Sequence, residues 1–255
     1  RTEKKITPIT ESEIPNVVRR RLFTGTDDEI KKNSEKIISD FVDYCETENI
    51  LPDGVQPSEF RKKFENSYPF LPQVIDVLYQ RWGTIRTFQR TRGVLRLLSL
   101  VVSHLIKKHG EKAPEFITLA DFELAESSIR RELIDHIEPQ FEGVISKDIT
   151  ADDSHAKKVD KEMGTYSSSK LAEKAAISIF MHSHSGGTKN GATDKDLKRS
   201  ICNRNVLSAV VDTALSKLRE NLFYLNEING QYLFTKDANL LKMKKDDSDG
   251  HHVSP

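Results

Sequence analysis

The chain has 255 residues, of which 31% are charged and 36% apolar, so it is long enough for one or two domains with real cores. It has 39 basic and 39 acidic residues, so its net charge does not indicate nucleic-acid binding. Any basic surface must therefore be local. No apolar run reaches the roughly 18 residues needed to cross a bilayer. Two isolated cysteines, Cys45 and Cys202, suggest a reducing compartment without a disulfide framework. These features predict a cytoplasmic protein with no membrane partner.

The N-terminal part of the chain predicts a series of helices. Residues 1–15 are polar and typical of a linker or the end of a strand. Pro72 can occupy the first turn of a helix that Gly83 ends, because its missing N–H does no harm there. The predicted helices cover residues 27–49, 57–67, 72–83 and 90–108.

The middle of the chain contains the predicted domain boundary. Residues 115–127 predict a short extended piece that leads into a turn, and residues 127–139 predict a helix that Pro139 stops. Residues 146–168 are polar and are expected to be loose in part. We therefore place the boundary between two domains in this polar stretch.

The C-terminal part predicts three helices followed by a β-hairpin. The helices cover residues 170–185, 192–202 and 205–221. Thr193 and Asp196 form a weak capping box at the start of the second helix. Asn229 and Gly230 lie between two short apolar runs, which is a strong short-range signal for a hairpin. This order of elements is that of a winged helix, and the tail at residues 242–255 is expected to be disordered.

The helix predicted at residues 90–108 carries one polar seam on an otherwise apolar surface. The seam consists of residues three or four positions apart, which share one helix face: Arg92, Arg96, Ser99 and Ser103. A charge on such a helix is costly unless an anion pairs with it, and the positive helix N-terminus increases that need. Arginine binds both carboxylate and phosphate groups in bidentate geometry. Spacing alone leaves both a structural ion pair and a phosphate site open for Arg96.

Two further groups of basic residues are candidate sites. Arg19, Arg20 and Arg21 are consecutive, which is also typical of a solvated or ion-paired cluster. In the predicted winged helix, basic residues gather mainly on and just after the second helix. They suffice for some phosphate contacts but are few for base readout, so a structural or protein-binding role stays open. These nucleic-acid candidates are Lys189, Lys195, Lys198, Arg199, Arg204, Lys217 and Arg219.

No catalytic residue and no metal ligand is predicted. His182 and His184 lie two residues apart near a helix end, without a cysteine or carboxylate at a metal-ligand spacing. The stretch from Thr118 to Glu123 superficially resembles a hydrophobic strand that ends in acidic residues, as in a Walker B motif. It is interpreted as an ordinary strand-to-helix turn.

The segment "GVLRLL", residues 93–98, resembles the sensor-2 segment of AAA+ ATPases. The longer string "YPFLPQVIDVLYQRWGTIRTFQRTRGVLRLLSLVV" resembles the lid region of a family of large P-loop ATPases. That family was once catalogued only as a domain of unknown function, and it includes the PglY-like proteins of prokaryotic phage-defence islands. Later segments resemble it as well, namely "SSIRRELIDHI", "AEKAAISIFMHSHSG", "GATDKDLKRSI" and "NLFYLNEINGQYLF". The resemblance covers most of residues 14–241.

The resemblance implies a mainly α fold, with an AAA+-type helical lid, a helical connector and a winged helix with a small β-hairpin. It implies that Arg96, assisted by Arg92 and Arg90, contacts the terminal phosphate of ATP. One of Arg19, Arg20 and Arg21 would reach the nucleotide of a neighbouring subunit. The implied segments are the end of the ATPase core or a linker at 1–25, the lid at 26–112, the connector at 113–168, the winged helix at 169–241 and a disordered tail at 242–255.

The chain contains no G-x-x-x-x-G-K-[ST] motif, so it should not hydrolyse ATP alone. We expect ATP with Mg in the parent protein and no cofactor in this chain, which opens at Arg1 and is interpreted as a piece of a longer protein. The implied partners are the N-terminal ATPase core, duplex DNA, other defence-system proteins and further copies of the same protein. The competing hypothesis is a non-enzymatic helical adaptor, in which Arg96 forms a structural ion pair and the winged helix binds protein.

Overall fold

The computed structural model describes residues 13–24, 27–187, 190–202, 206–239 and 242. It is mainly helical, with a two-stranded antiparallel sheet near the C-terminal end. The helices are α1 (Ile14–Leu22), α2 (Asp27–Thr47), α3 (Pro57–Ser67), α4 (Pro72–Gln80), α5 (Thr91–His109), α6 (Ser127–Ile134), α7 (Phe141–Val144), α8 (His155–Lys161), α9 (Leu171–His182), α10 (Asp194–Ile201) and α11 (Ser208–Asn221). The strands are β1 (Leu225–Ile228) and β2 (Gln231–Phe234). None of the described helices combines the length and the apolar character that a bilayer crossing requires.

Helix α5 buries one face and exposes its polar seam where the sequence predicts it. The buried apolar residues are Val94, Leu97, Leu98, Val101 and Leu105. Arg92, Arg96, Ser99 and Ser103 are exposed. Ile106 is 59% exposed, because it lies three residues after Ser103 and continues the exposed seam. Gly93 allows the start of the helix to pack closely, since a Cβ there would lie 2.0 Å from the Phe88 carbonyl oxygen.

Residues 145–169 form short helices joined by turns at 151–154 and 162–163, so most of the stretch that was expected to be loose in part is helical. A π-helix (Ile145–Thr150) is followed by α8 and by a 3₁₀ helix (Gly164–Ser169). Polar groups in this stretch are buried together with apolar ones, and Asp148 is completely buried. The polar composition misleads here because these side chains have hydrogen-bond partners inside the fold.

Asp148 ties the π-helix to the chain that enters β1. Its carboxylate lies 2.8 Å from His155 Nδ1, and it accepts backbone hydrogen bonds from Phe223 at 3.2 Å and Tyr224 at 2.8 Å. A buried carboxylate is tolerated when its oxygens are satisfied in this way. The connection between α11 and β1 is therefore held by a residue more than seventy positions earlier in the chain.

The C-terminal hairpin and the capping box of α10 are confirmed. In the hairpin Leu225 pairs with Phe234, and Ile228 pairs with Gln231 across the Asn229-Gly230 turn. Thr193 and Asp196 exchange both capping hydrogen bonds. An isolated antiparallel bridge joins Ala192 to Tyr232, so β2 lies between β1 and the segment that precedes α10.

The predicted lid and winged-helix ranges share one apolar core that extends from Ile14 to Phe234. Trp82 Nε1 donates to the Met181 carbonyl oxygen over 2.8 Å. Arg81 Nη1 donates to the carbonyl oxygens of His182 at 2.8 Å and Gly191 at 2.7 Å. These contacts join the end of α4 to the last turn of α9. The domain boundaries stay predictions, and residues 1–12 and 243–255 lie outside the described part.

Replacing Asp148 by Asn should lower the free energy of unfolding by about 2–4 kcal/mol, because the buried anchor of His155 and of the backbone before β1 loses its charge. Urea denaturation followed by circular dichroism measures the change. Asp152→Asn is the matched control, since Asp152 is fully exposed and its ion pair with Lys157 is long, at 3.6 Å. Equal urea midpoints for the two variants would contradict the anchoring role.

Candidate arginine site on the fifth helix

Arg96 projects from α5 and forms an ion pair with Glu132 on α6. Its Nε donates to Glu132 Oε1 over 2.6 Å, and its Nη2 lies 2.5 Å from the same oxygen. The Arg96 side chain is 46% exposed, whereas that of Glu132 is 11% exposed. The carboxylate therefore lies under the guanidinium group, whose outer part remains in solvent. The structural ion pair, which was one of the two possibilities for Arg96, is therefore present, and it lies at the surface.

His136 also contacts the Arg96 guanidinium group. Its Nε2 lies 3.1 Å from Arg96 Nη2. Because a guanidinium group can only donate, His136 Nε2 is the acceptor in this contact. The His136 side chain is 7% exposed and lies edge-on to Phe88, with 5.3 Å between ring centroids. Two nearly buried groups, four residues apart, thus orient Arg96.

Arg90 and Arg92 lie at the N-terminal end of α5 and are both exposed. Arg92 Nη1 donates a long hydrogen bond of 3.4 Å to Gln89 Oε1. The Arg90 guanidinium group lies over the Tyr79 ring, 5.2 Å from its centroid. Of the three arginines predicted here, Arg96 is the one that forms an ion pair within the described structure. The other two leave positive charge at this end of the helix.

The Arg19 to Arg21 cluster lies in the last turn of α1. Arg19 donates to the Glu65 carbonyl oxygen at 3.2 Å and to Asn16 Oδ1 at 3.1 Å, so it is held against α3. Arg20 and Arg21 are exposed. The trans-acting role stays a prediction, and the exposed members of the cluster are the ones that could fulfil it.

The surface basic residues that were predicted to bind nucleic acid, and that the structure describes, form ion pairs with acidic side chains. The ion pairs are Lys195–Asp53 and Lys198–Asp212 at 2.7 Å, and Lys217–Glu162 and Arg219–Glu227 at 2.9 Å. Lys189 and Arg204 lie outside the described residues. A phosphate group at any of the four described pairs would compete with a carboxylate, so the basic group is electrostatically weaker than its composition suggests.

Arg199 is buried and is therefore not a surface contact for phosphate. Its Nη1 donates to the Ile50 carbonyl oxygen over 2.6 Å, and its Nη2 forms an ion pair with Asp196. Burial lowers the pKa of Arg199, and the charge of Asp196 opposes that shift. Because Asp196 lies three residues before Arg199 on the same helix, the spacing could have predicted this ion pair.

Sequence reasoning missed a buried polar junction between α4, α9 and α10. Gln73 Nε2 lies 3.0 Å from the Asp196 carbonyl oxygen, 3.2 Å from Ser200 Oγ and 2.9 Å from His182 Nε2. The junction borders a cavity of about 190 Å³. Gln73 lies more than one hundred residues before His182 and Asp196 in the chain, so no local pattern could reveal the junction.

His182 and His184 are core residues. His184 is enclosed by Trp82, Phe141 and Phe180, with ring centroids 4.5 to 5.2 Å away. Burial lowers the pKa of both histidines from 6.5 to about 3. Within the part of the chain that the structure describes, no three His, Cys, Asp or Glu side chains are grouped for a metal ion.

Acid should destabilise the fold through these two histidines. Below pH 6.5 the unfolded chain binds two protons that the folded chain excludes until about pH 3. Stability is therefore present above about pH 6.5 and lost as the pH falls through this window. His184→Phe should reduce the slope of stability against pH by about 1.4 kcal/mol per pH unit. Urea denaturation across the window measures it, and an unchanged slope would contradict the burial of His184.

A family model described as the DUF499 second domain matches residues 9–222. An uncharacterized protein of Archaeoglobus fulgidus is 34% identical over 65 residues, which are 24% of this chain and 84% of that protein. No solved structure matches the chain. Since the family model covers all the helices from α1 to α11, this chain belongs to the DUF499 second-domain family.

Proposed function

We propose that this chain is the lid and winged-helix part of an ATP-binding AAA+-like ATPase. It would couple the nucleotide state of an upstream core to a partner in phage defence. The observation that carries the proposal is the exposed arginine end of α5, formed by Arg90, Arg92 and Arg96. A family described as a second domain is compatible with a preceding domain that holds the nucleotide.

The charge at this end of α5 suits a phosphate group. Three guanidinium groups and the N-terminus of the helix contribute positive charge here. The carboxylate of Glu132 is the negative charge that forms an ion pair with them. Arg96 uses Nε and Nη2 for Glu132, which leaves Nη1 for a second anion. A guanidinium group that is already oriented loses little conformational freedom on binding. ATP and Mg would be held by the upstream core, which would present the terminal phosphate to this edge.

The C-terminal elements support the winged-helix part of the proposal. Helices α9, α10 and α11 precede a hairpin, and the second strand of that hairpin also pairs with the segment between α9 and α10. In such a module the third helix and the hairpin are the usual contact surfaces. We infer that α11 and the hairpin face the partner.

A protein partner is favoured over duplex DNA by the charge of this surface. Lys198, Lys217 and Arg219 are each paired with a carboxylate, so DNA phosphates would have to displace those acids. Ile228 on the hairpin is 53% exposed and Leu207 before α11 is 55% exposed, which provides apolar contacts for a protein. Duplex DNA, other defence proteins and further copies of the chain remain the partners to compare.

Replacing Arg96 by Ala in the full-length protein should lower ATP hydrolysis by at least about a hundredfold, because a guanidinium group on the terminal phosphate stabilises the charge of the transition state. The expected loss of stability is about 1–3 kcal/mol, since Glu132 loses its partner. Steady-state hydrolysis and urea denaturation measure the two effects separately.

Glu132→Gln is the matched control, because it removes the charge of Glu132 while the amide oxygen of Gln still accepts the hydrogen bond from Arg96 Nε. Hydrolysis should stay within about threefold of the native rate, and the double variant Arg96→Ala, Glu132→Gln should be as inactive as Arg96→Ala. Equal losses in the two single variants, or native hydrolysis in Arg96→Ala, would favour the helical adaptor with a structural ion pair.

Duplex DNA should bind the chain no more tightly than the roughly 10 μM typical of non-specific contacts at physiological salt. Lys198→Ala should leave that affinity unchanged, because Lys198 is paired with Asp212. Fluorescence anisotropy with a labelled duplex provides the measurement. Submicromolar binding that Lys198→Ala weakens would instead favour DNA as the partner.

A further inference from the structure

A cavity of about 650 Å³ lies between α2 and residues 114–121, with the first turn of α9 and the end of α10 at its floor. This volume is within the roughly 300–1,000 Å³ of small-molecule sites. Arg90, Arg92 and Arg96 do not line it. The proposed function therefore leaves this cavity without a role.

One wall of the cavity is aromatic and rigid. The rings of Phe41 and Phe116 lie 4.8 Å apart, and Phe116 also packs edge-on against Phe64 at 5.3 Å. Tyr44 stacks on Phe41 at 6.5 Å, and its hydroxyl donates to the Val206 carbonyl oxygen over 3.2 Å. This wall offers a fixed surface for an aromatic or branched apolar group.

Asp121 contributes a fixed carboxylate to the same cavity. Its Oδ2 accepts hydrogen bonds from the Thr118 backbone N–H at 2.7 Å and from Thr118 Oγ1 at 3.0 Å. Burial raises the pKa of Asp121 in spite of these hydrogen bonds. The negative charge is thus only partly compensated, and a cationic group placed beside it would be stabilising.

Lys174, in the first turn of α9, contributes the opposite charge. Its side chain is half-buried, and it forms no ion pair with the residues that the structure describes. Its charge acts on Asp121 through space and partly lowers the pKa of that carboxyl group. The cavity lining also includes Lys36 and Glu115, which are exposed, and the half-buried Asp40. Asp121 and Lys174 are the opposite charges on the residues 114–121 segment and on α9, and they line the cavity without direct contact.

We propose that this cavity binds a free α-amino acid with an aromatic or branched apolar side chain. The ligand ammonium group pairs with Asp121, its carboxylate pairs with Lys174, and its side chain packs on Phe41 and Phe116. A simple anion would leave Asp121 unpaired, and a simple amine would leave Lys174 unpaired. A zwitterion with an apolar body satisfies the three features together, and this inference does not depend on the ATPase proposal.

The test titrates the native chain with L-phenylalanine and with two molecules that each lack one charge, 3-phenylpropionate and 2-phenylethylamine. Isothermal calorimetry and amide chemical shifts of residues around the cavity report binding. L-phenylalanine should bind at least about tenfold more tightly than either analogue, because it forms both ion pairs. Equal affinities for the three molecules, or no saturable binding of L-phenylalanine, would overturn the proposal.

Two variants assign the charges. Lys174→Met should lower the affinity for L-phenylalanine by about tenfold and leave the affinity for 2-phenylethylamine unchanged. Asp121→Asn should lower the affinity for L-phenylalanine and leave the affinity for 3-phenylpropionate unchanged. Lys170→Met is the matched control, since Lys170 pairs with Glu173 outside the cavity. If Asp121→Asn does not fold in a thermal melt, Lys174→Met decides. If Lys170→Met lowers the affinity for L-phenylalanine as much as Lys174→Met does, the assignment is overturned.

Discussion

Trp82 and Arg81, which follow α4, hydrogen bond to the carbonyl oxygens of Met181 and His182 at the end of α9. The last carbonyl groups of a helix have no partner within it, and a buried carbonyl group without a hydrogen bond is destabilising. These two side chains satisfy that need where the N-terminal helices meet the C-terminal module. Arg81 also donates to Gly191, so one guanidinium group orients both the end of α9 and the segment that pairs with β2. This junction therefore holds the end of α4 against the end of α9 and the segment that precedes α10.

Charge pairing explains why the arginine end of α5 differs from the other basic groups. On α10 and α11, Lys195, Lys198, Lys217 and Arg219 each meet one carboxylate at 2.7 to 2.9 Å. At the start of α5, Arg90 and Arg92 are exposed, and Arg96 further along the helix pairs with Glu132. An exposed group of three arginines with one paired carboxylate keeps a net positive charge, which is suited to an anion. This contrast supports a phosphate at α5 and a protein surface at α11.

Local patterns predicted the parts of the fold that depend on neighbouring residues. The seam of α5, the Thr193–Asp196 capping box and the Asn229-Gly230 hairpin each depend on residues within a few positions, and all three are confirmed. The same reasoning missed the contacts with residues far away in the chain, namely that of Asp148 with Tyr224, 76 residues away, and that of Arg199 with the Ile50 carbonyl oxygen, 149 residues away. For Arg96 the spacing located the seam correctly but could not identify Glu132, which is 36 residues away. Periodicity thus predicts which face is polar, whereas the tertiary fold determines which polar groups meet.

The most direct test of the central claim is a structure of the full-length protein with a non-hydrolysable ATP analogue and Mg. We predict that Arg96 Nη1 lies within hydrogen-bonding distance of a terminal phosphate oxygen, while Nε remains on Glu132. A structure in which the nucleotide is bound, but Arg96 contacts only Glu132 and His136 and lies far from any phosphate, would contradict it. In that case the arginine end of α5 would be a structural feature of a helical adaptor.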